Sequence, residues 1–357
     1  MKTKFCIIFS TRPEIIKLFP IIKILSKRNK KFFFINTGQH YDFRMHKIFY
    51  NQFKLKKAKY NFKRNKLSGI NYISSCLKFI NNVLNKENPT HVIVQGDTDT
   101  TLCGALATNI HNRKKTKKEK IKILHVEAGL RSFDEEMPEE INRKLVDNLS
   151  DYLFVPTKFE FNNLKKENLL NSKKVKIVGN TIIESLMNLN LKKVPTSKNN
   201  NFFLLTLHRP ETVDDINKFS KLLLDLNYLA KKNEHNILFP IHPRTKKKIL
   251  KKIFVKLDKF KIMNPVDYIK FISLLLSCKL VLTDSGGIQE ESFILNKPCI
   301  TLRNNTERQI TTFNKSNIVS GYEKSKIEKS IQYFLKRKIK NPNIFGKNVS
   351  KKILSAI

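Results

Sequence analysis

The sequence is short of acid. Asp and Glu number 30 against 69 Lys and Arg, so the 357-residue chain carries a formal charge of +39. Such a balance draws polyanions, which makes nucleic-acid binding a function class to weigh. Arginine, whose rigid fork reads phosphates and base edges, is scarce, however, and lysine supplies nearly all of the charge. Lysine is dispersed beside abundant Asn, Ile and Phe, the mark of a general compositional drift. The clustered exceptions, KLKKAKYNFKRNK (54–66), NRKKTKKEKIK (112–122) and RTKKKILKK (244–252), read as solvated loops and helix faces. No apolar run reaches the roughly 18 residues that a membrane span needs. The opening MKTKFCIIFSTRPE is broken at once by Arg12, Pro13 and Glu14 and lacks a small-residue cleavage site. It reads as a first strand, not a signal peptide. Cysteine is sparse too: Cys6, Cys76, Cys103, Cys278 and Cys299 are scattered, with no CxxC and no Cys/His cluster. That pattern argues against zinc and points to reduced, cytoplasmic core thiols. GxGxxG and GxxxxGK[ST] are absent, which leaves neither a fingerprint dinucleotide fold nor a P-loop supported.

What is present is alternation. With 40% hydrophobic residues the chain can bury sizeable cores, and its length exceeds what one core usually serves. Apolar runs at 4–10, 31–37, 91–97, 120–128, 151–157, 175–180, 201–208, 236–242, 278–284 and 298–303 read as strands. Helix-period stretches such as 15–27 and 216–232 lie between them, so βαβ units, parallel sheets and an α/β class are expected. Polar clusters close almost every strand, at the edge where open α/β sheets bind ligands. The pattern restarts after LKKVPTSKNNN (191–201), a linker by composition. Two domains follow, 1–180 and 181–357, with the last helix able to pack back on the first. The cleft between them is the default ligand site.

Five stretches carry chemistry. STRPEIIK places Arg12 at a helix N-terminus, where free N–H groups favour an anion, with Lys17 one turn further in. VQGDTDTT puts Asp97 and Asp99 just past a strand; N-capping accounts for one acid there, not for both. HVEAGLRSFDEEMPEEINR aims His125 and Glu127 the same way on a period-two strand and starts a helix at Pro138 with Glu139 and Glu140. Glu127 on a buried strand needs a partner or a purpose. Asp97, Glu127 and Glu139 could converge as proton-transfer groups. TLHRPE brings His208 and Arg209 to a strand tip, suited to phosphate, and PIHPRTKK (240–247) repeats the theme more weakly. TDSGGIQEES joins Ser285, Gly286 and Gly287 to a helix start, where backbone N–H groups can approach a pyrophosphate. Glu291 then lies one turn in, placed for a ribose diol.

Together STRPEIIK, GDTDTTL, HVEAGLRSFDEEMPEEINR, VGNTIIESL, TLHRPE and LTDSGGIQEES…TLRNNTER resemble the non-hydrolysing UDP-N-acetylglucosamine 2-epimerases, in the same order over residues 5 to about 310. The resemblance implies two Rossmann-like domains of glycosyltransferase-B type, usually a homodimer. It implies interconversion of UDP-N-acetylglucosamine and UDP-N-acetylmannosamine, with no metal, nicotinamide or other cofactor. It places nucleotide contacts at Arg12, His208, Phe271, Ser285, Gly286, Gly287, Glu291 and Arg308, with Lys17 near the diphosphate. Asp97, Glu127 and Glu139 match the acids assigned to the sugar, and His208 joins them in the catalytic set. Cell-surface polysaccharide synthesis in the cytoplasm, with a UDP-sugar as the small-molecule partner and no membrane, completes the expectation. The sequence departs from the family pattern at Ser10, often Gly, at Val266, often Gln, in TERQITTF after the arginine motif, and in the lysine-rich 112–120 insert. Two rivals remain: a 2-epimerase of a UDP-2,3-diacetamido-uronic acid, and a nucleic-acid-binding protein on this fold, which would have no use for the acids or the SGG loop.

Overall fold

Alternating apolar runs and amphipathic segments resolve into two parallel sheets, each layered by helices. The computed structural model describes residues 3–38, 57–64, 67–196, 201–241, 243–249 and 255–357. His242, parts of the lysine-rich runs at 54–66 and 244–252, and residues 197–200 of the linker lie outside these. The chain divides into two compact units, residues 1–188 with 344–357, and 189–343.

The first unit holds β1 (Lys4–Phe9), α1 (Arg12–Lys27), β2 (Lys31–Asn36), β3 (Tyr60–Asn61), α2 (Gly69–Glu87), β4 (His91–Gln95) and α3 (Asp99–His111). β5 (Lys122–Val126), α4 (Pro138–Leu149), β6 (Tyr152–Val155), α5 (Lys158–Lys166), β7 (Lys174–Ile177) and α6 (Ile182–Asn188) follow. Its described strands form one parallel sheet in the order β3-β2-β1-β4-β5-β6-β7. β1, β4 and β5 are almost wholly buried, as strands covered on both faces must be. Because strand order reverses between β1 and β4, right-handed crossovers send α1 to one face and α2, α3 and α4 to the other. α1 packs against α6, and α3 against both α2 and α4. α6 belongs here because Ile182, Ile183 and Leu186 are buried and Ser185 Oγ donates to the Ile16 carbonyl at 2.5 Å. The division therefore falls after residue 188, later than the sequence boundary at 180.

The second unit holds β8 (Phe202–Thr206), α7 (Pro210–Val213), α8 (Ile216–Lys232), β9 (Asn236–Pro240), α9 (Pro243–Lys248), β10 (Phe260–Met263) and α10 (Tyr268–Ser277). β11 (Leu280–Thr283), α11 (Gly286–Ile294), β12 (Cys299–Thr301), β13 (Asn317–Val319) and α12 (Lys324–Leu335) complete it. Its described strands order as β10-β9-β8-β11-β12-β13, again all parallel. The chain then returns to the first unit with α13 (Val349–Leu354), which packs on α1. Each unit has its own apolar core, centred on Ile8, Val92, Val94 and Ile123 in the first and on Phe203, Leu205, Phe239 and Leu282 in the second. All five cysteines are buried and unbridged.

Three short strands, β3, β10 and β13, escape the sequence reading. β3 lies inside the first lysine-rich run, which was expected to be loop or helix face. At two to four residues, such pieces are too short for alternation to register.

Candidate functional site

In an open parallel sheet the ligand crevice opens at the carboxyl ends of the strands, where the strand order reverses. That point lies between β1 and β4 in the first unit and between β8 and β11 in the second. The sequence motifs fall on both.

In the first unit, the turn after β1 is built around Glu14. Its Oε2 accepts from the backbone N–H groups of Ser10 (2.7 Å) and Thr11 (2.6 Å). Thr98, beyond β4, donates to Oε1 at 2.5 Å. One buried carboxylate thus ties together the two turns that flank the switch point. Arg12, half-exposed, opens α1, and Pro13 occupies a first-turn position where its missing N–H costs nothing. Lys17, one turn further in, is buried, with Nζ 2.5 Å from Glu127 Oε1. The side-chain amide of Gln95, the last residue of β4, donates to Glu127 Oε2.

Glu127 does not share a strand face with His125, as alternation suggested. β5 ends at Val126, and Glu127 takes a left-handed φ of 72°. A non-glycine residue held there stores about 1–3 kcal/mol of strain, which the surroundings must impose. They do so through Asp147, which accepts from His125 Nδ1 (2.8 Å) and the Gly129 N–H (3.2 Å) and pairs with Arg131 Nη2 (2.8 Å). Burial alone would raise the Asp147 carboxyl, but these partners hold it below the ordinary range. Gly129 has φ 80°, and a Cβ there would stand 2.6 Å from the Glu160 carbonyl, so glycine is required. Arg131 also grips both Glu167 oxygens at 2.6 Å.

Thr98, rather than either aspartate, supplies the side-chain cap of α3, accepting from the Thr101 N–H. Asp97 is thereby left to pair with Arg143 through Nη2 and, at 3.1 Å, Nε. Arg143 Nη1 reaches Glu140 Oε2 at 2.6 Å, and Glu140 in turn accepts from Ser132 and Phe133. The two adjacent glutamates of α4 therefore differ. Glu140 is fully buried structure, while Glu139 is half-exposed, one turn before Arg143. Lys17 on α1 meets Glu127 just past β5, Asp97 follows β4 and pairs with Arg143, and Glu139 stands on the helix that carries Arg143.

In the second unit, Asp284 does for β8 and β11 what Glu14 does for β1 and β4. Its Oδ2 accepts from the N–H groups of His208 and Arg209, both at 2.9 Å, and its Oδ1 lies 3.1 Å from His208 Nδ1. Burial would raise this carboxyl, yet the His208 ring and the two amides lower it. The His208 side chain is 55% exposed, and with Nδ1 turned to Asp284 it presents Nε2 outward. Ser285 stands at the N-cap position of α11, two residues after β11, without a side-chain capping hydrogen bond, and the N–H groups of Gly286 and Gly287 open the helix there. A Cβ on Gly286 would fall 2.3 Å from Glu307 Oε1, whereas one on Gly287 would meet no described atom within 4 Å. Glu307 is held by Arg303 Nη1 at 2.8 Å and Arg209 Nη2 at 3.4 Å. Arg308 Nε lies 3.0 Å from Glu290 Oε1 beside the same turn. Glu291 is buried and accepts from the Tyr268 hydroxyl at 2.9 Å, and Phe271 follows on the same helix, α10.

Sequence reading missed Gln95, Arg143, Asp284 and Glu307. Asp284 had a signal, an acid between a strand and SGG. Arg143 had a weaker one, a helix arginine four residues past Glu139. Gln95 meets its partner 32 positions away, and Glu307, though only four positions from Arg303, gains its role from lying against Gly286, a contact that local pattern does not record.

Comparison with known proteins identifies the family. The family model described as UDP-N-acetylglucosamine 2-epimerase matches residues 23–357. The chain is 46% identical over 365 residues to the UDP-N-acetylglucosamine 2-epimerase of Methanococcus maripaludis, covering 98% of this chain and 97% of that one. It is 34% identical to the UDP-2,3-diacetamido-2,3-dideoxy-D-glucuronate 2-epimerase of Pseudomonas aeruginosa, over 95% and 94%. The crystal structure of Methanocaldococcus jannaschii UDP-GlcNAc 2-epimerase in complex with UDP-GlcNAc and UDP superposes with a TM-score of 0.90 at 42% identity, covering 99% of each chain. The two parallel sheets with interleaved helices are the α/β, glycosyltransferase-B-like architecture expected from the sequence. The chain belongs to the UDP-N-acetylglucosamine 2-epimerase family.

Proposed function

We propose that this chain interconverts UDP-N-acetylglucosamine and UDP-N-acetylmannosamine without hydrolysing them. The C2 proton of the sugar is scarcely acidic, so its removal is coupled to departure of UDP from C1. The C2–H electron pair becomes the C1=C2 bond, the C1–O pair leaves on the β-phosphate, and a 2-acetamidoglucal forms. UDP then attacks C1 again while a proton arrives at C2 on the opposite face, giving the epimer. Two proton transfers on opposite faces require more than one acid–base group, and Asp97, Glu127 and Glu139 are the carboxylates for them. His208, Arg308, Arg12, Lys17 and the N–H groups of Gly286 and Gly287, with Ser285 at the N-cap beside them, answer the charge that builds on the leaving diphosphate, Phe271 and Glu291 holding the nucleoside. In this reading the second unit binds the nucleotide and the first acts on the sugar. A homodimer in the cytoplasm, feeding cell-surface polysaccharide synthesis, belongs to the same proposal.

The observation that supports it most is Glu127, a carboxylate in a left-handed turn just past β5, fixed at both oxygens by Lys17 and Gln95. Purified protein incubated with UDP-N-acetylglucosamine and no added cofactor should produce UDP-N-acetylmannosamine, followed by NMR. Its absence would count against the reading. The Pseudomonas aeruginosa relative and the basic charge favour a second reading, epimerisation of a UDP-diacetamido-uronate. Side-by-side assays would show which sugar gives the higher kcat/KM.

A further inference from the structure

We infer that the lysine-rich 112–120 insert builds a binding site for a diphosphate-type anion, at the edge of the first sheet opposite the catalytic turns. The insert departs from the family pattern, and the proposed reaction makes no use of it. It is a folded loop, closed at its base. Buried Asn112, just past α3, donates from Nδ2 to the Ile121 carbonyl at 2.8 Å and accepts from the Ile121 N–H at 2.9 Å. Between these ends, Glu119 Oε2 accepts from the Thr116 hydroxyl (2.7 Å) and the Thr116 N–H (3.1 Å). Arg113 and Lys120 are thereby carried on a defined piece of backbone at the start of β5.

Beside the insert lies a cavity of about 240 Å³, lined by Asn109, Arg113, Lys120, Ile123, Asp151 and Lys173 among others. A water molecule takes about 30 Å³, so the space holds roughly eight water-sized groups, about the size of a diphosphate. Its charge is one-sided. The side chains of Arg113 and Lys120 make no hydrogen bond or ion pair among the described residues. Half-buried Lys173 gives one donor to the Asn148 carbonyl at 2.6 Å, and burial holds its ammonium below the ordinary lysine value against the pull of Asp151. Asp151, the one carboxylate in the lining, has both oxygens engaged, Oδ2 by the Ile123 N–H at 2.9 Å and Oδ1 by Lys122 at 3.1 Å. The carbonyl ends of α3 and α4 account for a cation beside each. They do not account for three around one cavity, whose mutual repulsion a polyvalent anion would relieve. The Arg113 fork suits two phosphate oxygens, and the two lysines add charge and further donors. Ile123 precedes Glu127 by four positions, about 13 Å along an extended strand, so this cavity is separate from the proposed reaction site.

Isothermal titration calorimetry on the full chain in about 150 mM salt tests this with two probes, inorganic pyrophosphate and ADP. Both carry linked phosphates, and the tighter of the two names the source, a free inorganic anion or a nucleotide. At least one should bind, and Arg113→Ala with Lys120→Ala should weaken it about 10–100-fold through loss of two charge-assisted contacts. Both side chains are exposed, so far-UV circular dichroism of this variant should stay native. Lys221→Ala with Lys231→Ala removes the same charge from α8 and should leave the affinity within about threefold. His208→Ala, at the proposed nucleotide site, should leave it unchanged too. The inference is overturned if neither probe binds, or if binding survives the insert variant. Loss in His208→Ala with the insert variant unaffected would assign the anion to the SGG turn, and equal loss in the α8 control would mark attraction to the overall charge; either overturns it. None of these readouts uses turnover, so failure of the proposed function leaves the result readable.

Discussion

Glu127 concentrates the chemistry at the residue scale. A carboxylate with both oxygens engaged, one by a buried lysine, keeps its position as the chain around it breathes. Its left-handed backbone can be traced to Asp147 gripping the loop on three sides. Glu127→Gln keeps the shape and the Gln95 contact but removes the base. Turnover should fall by about 10²–10⁴, the usual worth of a proton-transfer group, while UDP affinity stays within about threefold. Because the substitution leaves Lys17 buried beside a neutral amide, thermal stability should fall as well. A Lys17→Met, Glu127→Met double variant separates the two effects: it should recover stability without activity. Turnover that survives either variant would remove Glu127 from the mechanism. The sequence shows that Glu127 needs a partner, yet it cannot supply one, since Lys17 lies 110 positions away. It misplaces the side chain as well, because alternation holds only while the strand lasts and β5 stops one residue short.

The two glycines of the SGG turn make different demands on α11. Neither glycine has a positive φ, so backbone freedom is not what selects glycine here. Gly286 is small because the Glu307 carboxylate, held by Arg303, lies over it. Gly287 faces open space, where a phosphate could approach the helix N-terminus. Gly286→Ala should therefore cost about 1–3 kcal/mol of stability as the buried pair is pushed aside. Gly287→Ala should leave the melting temperature unchanged and weaken UDP binding about tenfold, measured by calorimetry. The reverse assignment of stability and affinity would contradict the turn's proposed role. Elements of this length were legible: α8 spans the residues its periodicity indicates, 216–232, and α4 begins at Pro138 as its composition demands. Tyr60–Asn61 was not, because a two-residue edge strand inside a lysine run has no pattern of its own.

Across the whole molecule, the restart of the βαβ pattern after the linker announces two units, but not that α6 and α13 both pack on α1. Both contacts close over more than 150 residues of intervening chain in one case and 300 in the other, roughly, and local pattern carries no record of such closures. The charge of +39 is legible in composition alone.

The claim that carbon 2 loses and regains a proton can be tested directly by running the reaction in D2O. The account predicts that UDP-N-acetylmannosamine forms with deuterium at C2, that recovered UDP-N-acetylglucosamine acquires it too, and that Glu127→Gln slows both by about 10²–10⁴. Product that retains the original C2 hydrogen would contradict it.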